Sequence, residues 1–323
     1  QHHNPVGGSA NAKLAAEALT SPNLELLVVQ DLFLNATSSL ADYLLPAAHW
    51  LEKPFLSMGL GYAGFAGDYV ETKAAALMPE HEHRSDYDLW RDLGRRLGQT
   101  HDWPDTAEQF WDGCLAPAGL DFNSVCSSIG PLMGPAAQSR ARVDTGGTRP
   151  AFGTPSGRIE LRSSLLEEWG QDPLPVFELP AMVSVNAVAY PLTLTTGGRK
   201  IEGFHQGAQL MPWFRRKYPE PQLSMHPATA AGAGIADGDW AWVETPIGRV
   251  RQRARLTDDL PPRVVHADRW WYPERGADTT DPFGWRGTNI NVCTDDALES
   301  CDPILGSWLL RGVPCRVVAD SAD

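Results

Sequence analysis

The chain has 323 residues, 42% hydrophobic and 21% charged, which is enough apolar material for about two ordinary domains, and no run approaches the ~18 apolar residues that a spanning helix needs. A net charge of -13 argues against a nucleic-acid partner. It leaves room for a ligand with a few phosphates, which needs only a local cluster of donors.

The chain opens Gln1-His2-His3-Asn4-Pro5, without Met or a signal peptide, and reads as if it began inside a longer protein. Residues 10–19 place Leu14, Ala15, Ala18 and Leu19 on one helical stripe. After a turn at residues 20–23 comes an apolar strand over 24–30, and residues 40–45 form a second short strand closed by Pro46. Residues 86–97 put Leu89, Trp90, Leu93 and Leu97 on one helical face, with Gly98 as the stop. Helices alternating with strands predict an α/β layer. Pro, Gly and Ser accumulate over residues 117–180, which predicts a long connector with one helical turn near 163–169. From Tyr190 the period changes to two. Strands are predicted over 190–196, 240–245, 249–256, 263–267 and 315–318, with one short helix from Pro227. Many short strands close naturally into a barrel. Three units follow: an α/β part over 1–115, a connector over 116–184 and a barrel over 185–323.

Five cysteines, Cys114, Cys126, Cys293, Cys301 and Cys315, include no Cys-x-x-Cys pair. Neither an iron–sulfur or zinc site nor a disulfide framework is expected from them, and inert thiols are. His81-Glu82-His83 sits in a polar stretch and reads as surface rather than as metal ligands. The 12 tryptophans, Trp270 and Trp271 among them, read as barrel packing or cavity wall.

Three ordered blocks carry a family resemblance. The first runs from Asn4-Pro5 through Val29-Gln30-Asp31-Leu32-Phe33-Leu34-Asn35-Ala36-Thr37 to Ala41-Asp42-Tyr43-Leu44-Leu45-Pro46. The second is Gly153-Thr154-Pro155-Ser156-Gly157-Arg158-Ile159-Glu160-Leu161 with Asp172-Pro173-Leu174-Pro175. The third runs from Leu194-Thr195-Thr196-Gly197-Gly198-Arg199 through Ser224-Met225-His226-Pro227 and Gly234-Ile235-Ala236-Asp237-Gly238-Asp239 to Trp270-Trp271-Tyr272-Pro273-Glu274 and Asn289-Ile290-Asn291. Together they resemble the C-terminal part of the molybdopterin oxidoreductases of the dimethyl-sulfoxide-reductase type. The second block and the Trp-Trp-Tyr-Pro-Glu run look most like the thiosulfate, polysulfide and acetylene-hydratase branch.

The resemblance implies a partial α/β domain with a Rossmann-like sheet, followed by a double-psi β-barrel. It implies two molybdopterin guanine dinucleotides carrying molybdenum or tungsten. The metal ligand and any iron–sulfur cysteines belong to the family's upstream part, so no catalytic or metal-ligating residue is assigned in this chain. The partners implied are that upstream part, or a companion catalytic chain, and an electron-transfer subunit. The compartment stays open between the cytoplasm and export.

For the cofactor, Thr195, Thr196, Gly197, Gly198 and Arg199 offer hydroxyls, approachable backbone and a guanidinium to phosphate, with a plain strand-end turn as the alternative. His205 and Gln206 follow as polar contacts or structural groups. Asn289 and Asn291 lie two apart, so on an extended chain both amides face one side toward a pterin edge, or they cap turns. Asp31 and Asp42, with Thr37 between them, place carboxylates that accept from a guanine edge or cap local structure. Two other readings of the chain stand beside this one. The same scaffold serves in a hydratase or transhydroxylase, or a non-catalytic barrel binds a nucleotide-like ligand or a partner chain.

Overall fold

The computed structural model describes residues 4–58, 69–133, 152, 154–177, 181–198, 200, 202–203, 208–269, 281 and 283–320. Its strands are β1 (Val28–Asp31), β2 (Tyr43–Pro46), β3 (Phe55–Met58), β4 (Tyr69–Lys73), β5 (Leu132–Met133), β6 (Leu192–Thr195), β7 (Gln222–Met225), β8 (Trp240–Glu244), β9 (Arg249–Leu256), β10 (Val264–Ala267) and β11 (Val313–Ala319). Two compact units form, one from residues 1–45 with 179–323 and the other from 46–178.

The first unit is built on a closed barrel in the order β10-β6-β11-β8-β9-β7. β6 with β10 and β7 with β9 are parallel, and the other pairs are antiparallel. The period of two explains the closure. Leu194, Leu223, Met225, Ala241, Val243, Val250, Ala254, Val265, Ala267, Val313 and Cys315 point inward and are buried. On the outer face of β9 every second residue is arginine. Arg249 stacks over Trp242 at 4.6 Å and Arg253 over Trp240 at 4.6 Å. These two tryptophans therefore cover the barrel's outside instead of filling it. β7 was not anticipated. Its four residues alternate as in the other strands, with Gln222 and Ser224 partly exposed and Leu223 and Met225 buried, but the run is too short to stand out in the sequence.

The N-terminal residues join this unit. The helices Pro5–Gly8 and Ala12–Leu19 bury Val6, Ala12 and Ala16 in the same core as the barrel residues. The division at 115 and 184 therefore differs from the observed grouping. Burial of three small side chains against distant residues outweighs continuity along the chain. β1 and β2 form a separate two-stranded sheet. Residues 24–27, expected as strand, carry no ladder pairing, and β1 starts at Val28.

In the second unit β3-β4-β5 form an antiparallel sheet, so among the described residues β1 to β5 make two small sheets. The connector is more structured than composition suggests. Asp121 and Ser124 form a capping box that starts the helix Phe122–Cys126, which buries Phe122 and Val125. Thr106 and Gln109 do the same for Ala107–Leu115. The expected turn of helix is present at Ser164–Glu168, capped by Ser163. The helix Asp86–Arg96 keeps its apolar stripe turned outward, with Trp90 55% and Leu97 72% exposed. Its anchor is instead Gly94, where a Cβ would lie 2.3 Å from Trp103 Nε1.

Cys293 and Cys315 lie in the barrel core, and burial pushes the Cys293 thiol up to about 12 and raises that of Cys315 as well. A thiol that cannot ionise does not attack a disulfide reagent. Ellman's reagent should therefore react first with exposed Cys114, more slowly with half-buried Cys126 and Cys301, and with the remaining two only after denaturation. Modification of all five in the folded chain at one rate would contradict this placement.

Candidate functional site

Three segments meet at one end of the barrel because of strand polarity. β6 and β10 are parallel, so their C-terminal ends lie together, and His266 is the register partner of Thr195. β11 is antiparallel to β6, with Val313 opposite Leu194, so the residues entering β11 arrive at the same end. The turn leaving β6 (195–198), Asp268 beyond β10 and Arg311 before β11 are thereby gathered.

Each predicted residue of this turn has an identifiable job. Thr195 Oγ1 lies 3.2 Å from the Val265 carbonyl and 3.0 Å from His266 Nδ1. The Thr196 hydroxyl donates to the Leu310 carbonyl at 2.7 Å. Both hydroxyls are therefore engaged in holding the three segments together. Gly197 has φ +85, the left-handed region that favours glycine, and a Cβ there would sit 3.4 Å from Arg311 Nη2. At Gly198 a Cβ would fall 2.4 Å from His266 Nε2, so this glycine admits the imidazole. Arg199, His205 and Gln206 lie outside the described residues.

The charges around the turn were missed by sequence reasoning. Lys200 Nζ pairs with Asp268 Oδ1 at 3.1 Å, with the Asp268 side chain only 8% exposed. The other carboxylate oxygen of Asp268 accepts from Gln222 N at 3.0 Å. Burial depresses the His266 pKa from the ordinary histidine value; Asp268 opposes the shift, and Lys200 and Arg311 reinforce it. Two cations against one carboxylate make a local positive excess in a chain of net charge -13. The two glycines let the Arg311 guanidinium and the His266 imidazole approach the turn closely. That donor set suits a phosphate group. The sequence pointed to the Thr195–Arg199 turn but to none of Lys200, His266 and Arg311. His266 and Arg311 stand 71 and 116 positions beyond Thr195 (266 − 195 and 311 − 195).

The other predicted residues are brought together in a different way and for a different task. Asn289 and Asn291 are not on an extended strand. Asn289 caps the 3-10 turn Ile290–Cys293, accepting from Asn291 N at 3.1 Å. Asn289 Nδ2 donates to the carbonyls of Val6 at 3.0 Å and Gly7 at 3.3 Å, and Asn291 Nδ2 donates to Gly7 at 3.1 Å. These buried amides tie the N-terminal helix to the barrel; the extended strand expected at Asn289 and Asn291 is corrected to a 3-10 turn, with Asn289 in the turn-capping role that stood as the alternative. Thr37 joins the same network. It accepts from Val6 N at 3.0 Å and donates to Asn4 Oδ1 at 2.5 Å. Asp31 accepts from Leu32 N at 2.7 Å and Asn35 Nδ2 at 2.8 Å, and Asp42 accepts from Leu27 N at 2.7 Å. Both carboxylates thus bind local structure, the alternative weighed for them. His83 rests on Glu52, with Nδ1 3.2 Å from each carboxylate oxygen.

Residues 1–96 match the family described as Molybdopterin oxidoreductase, and residues 192–306 match the Molydopterin dinucleotide binding domain. The chain is 30% identical to acetylene hydratase of Syntrophotalea acetylenica over an alignment of 327 residues that covers 96% of this chain and 42% of that relative. It is 26% identical to dopamine dehydroxylase of Eggerthella lenta, covering 95% of this chain and 36% of the relative. A putative dimethyl sulfoxide reductase of Halobacterium salinarum is 29% identical over 77% of this chain and 30% of its own length. Among solved structures, acetylene hydratase from Pelobacter acetylenicus superposes with a TM-score of 0.78 at 27% identity, covering 96% of this chain and 42% of that one. The chain thus spans less than half the length of these relatives.

Proposed function

This chain belongs to the molybdopterin oxidoreductases, and from that premise we propose that it forms the C-terminal side of the cofactor cradle of a molybdenum or tungsten enzyme. The observation that carries the reading is the convergence of Gly197, Gly198, Lys200, His266 and Arg311 at one barrel end. In this reading the turn holds phosphate of a molybdopterin guanine dinucleotide, with Arg199 as a further donor and His205 and Gln206 as polar contacts. Thr195 and Thr196 hold the turn in place. Asn289, Asn291, Thr37, Asp31 and Asp42 serve as scaffold.

The finer architecture belongs to the same proposal. The two parallel pairs, β6/β10 and β7/β9, support a double-psi arrangement of the barrel. β1 and β2 fit the rim of a Rossmann-like layer completed by other parts of the protein, and a second dinucleotide is proposed on that side. When bound, the cofactor supplies the metal chemistry, and the chain's own residues bind and orient it. Oxygen-atom or electron transfer is the reading we favour. The identity to acetylene hydratase supports hydration on the same scaffold as the second.

The test is retention of cofactor in the enzyme that carries this chain. A charge-assisted hydrogen bond contributes about 1.5–3 kcal/mol. Lys200→Ala with Arg311→Ala should therefore weaken retention at least about tenfold, since 1.4 kcal/mol is tenfold. Metal and guanine nucleotide are measured after dialysis, with Arg162→Ala, on an exposed ion pair of the second unit, as the control. Wild-type occupancy in the double variant would remove the phosphate from this turn.

A further inference from the structure

Among the described residues around the turn His266 is the one histidine, and its surroundings define which nitrogen responds. Thr195 has a single hydroxyl hydrogen. With that hydrogen on the Val265 carbonyl at 3.2 Å, Thr195 Oγ1 accepts, so His266 Nδ1 at 3.0 Å donates. Nε2 is then the basic nitrogen, and it is the atom turned toward Gly198. The groups facing the ring come from every neighbouring segment. Asp268 lies beyond its own strand, Lys200 on the turn after β6 and Arg311 before β11. Thr195 of β6 and Ser224 of β7, its register partners, are neutral. Asp268 is already engaged by Lys200 and by Gln222 N, so its charge is shared.

We propose that anion capture at the Gly197–Gly198 turn is coupled to protonation of His266 Nε2. The ring is neutral without an anion and becomes a cation when a phosphate-type dianion is held by Lys200 and Arg311. Burial and the two cations disfavour the charged ring. An incoming dianion offsets both cations and adds negative potential, which reverses the balance. The coupling rests on reading this turn as the phosphate site, and it makes loading of the dinucleotide stronger in acid.

The sign follows from linkage. The bound state has the higher His266 pKa, so it holds more protons between the two pKa values. Affinity then rises as pH falls through that window, by up to about tenfold per unit for one proton, and is flat outside it. The depressed ring also destabilises the anion-free chain as pH drops below about 6.5, where the unfolded histidine takes up a proton that the folded one resists.

The test follows the histidine ring signals of the full chain by NMR against pH, in sulfate and in chloride at matched ionic strength. Sulfate keeps its charge throughout the titration, so any linked proton belongs to the protein. The expected result is an upward shift of the His266 midpoint by about one unit or more in sulfate, worth about tenfold in affinity. Sulfate affinity should become independent of pH in His266→Gln. If that variant does not fold, the wild-type titration alone decides. A sulfate response of the Gly197 and Gly198 amides with an unmoved His266 midpoint would overturn the coupling and leave the phosphate reading intact. No response of either to sulfate would also overturn the coupling. The phosphate reading would then stand or fall on the dialysis experiment.

Discussion

Gln252→Leu is expected to destabilise the first unit by about 2–6 kcal/mol, a large part of the roughly 5–15 kcal/mol of a typical domain. Gln252 has no exposed surface and faces the barrel interior from β9. Its side-chain amide bridges three backbone partners. Nε2 donates to the carbonyls of Asp268 at 3.0 Å and Thr288 at 3.1 Å, and Oε1 accepts from Asp268 N at 3.1 Å. Leucine is close in volume, so the loss is polar. Buried backbone groups lose their partner, at about 1–3 kcal/mol each. Asp268 N–H keeps a second acceptor in the Gln222 carbonyl at 3.0 Å, so the cost lies mainly in the two carbonyls. Urea denaturation of the full chain measures it. A change below about 1 kcal/mol would mean that water replaces the amide. Because Asp268 pairs with Lys200, the same variant should also loosen the Gly197–Gly198 turn.

Asn289→Ala should give the second largest effect, about 2–4 kcal/mol, and its character separates a scaffold role from ligand contact. The side chain is fully buried. Its removal leaves the Val6 carbonyl and Asn291 N–H without the partner they have now, while the Gly7 carbonyl keeps Asn291 Nδ2. The loss therefore falls on the join between the helix Pro5–Gly8 and the barrel. Hydrogen exchange should accelerate at Gly7, Gly8 and Ser9 before the barrel strands respond. Unchanged exchange there, with weakened cofactor retention, would restore Asn289 to the ligand side.

Much of the barrel was legible because strand burial is a local pattern. Residues i and i+2 share a face, so Val243, Val250, Ala254 and Val265 announce an inward row without knowledge of their partners. The turn at Gly238, with φ +83, and the helix from Pro227 were legible for the same reason. Each depends on the residue's own backbone preference. Helix Phe122–Cys126 lies in the Pro-, Gly- and Ser-rich stretch that masks it, and Ala107–Leu115 lies just before that stretch, although the capping boxes of both are present in the sequence.

By itself, the sequence determined the barrel's inward rows, the family and the Gly197–Gly198 turn. Tertiary structure alone decided what surrounds that turn and what the asparagines do. Asn289 and Asn291 are two apart in any conformation, but a 3-10 turn rotates them onto the N-terminal helix, where buried carbonyls need donors. Lys200, His266 and Arg311 share no local pattern. They meet because β6 and β10 run parallel and β11 runs against them. Strand order and direction are set by which faces bury best together over long separations. A short window of sequence cannot carry that information, since every strand with the same alternation satisfies it equally well.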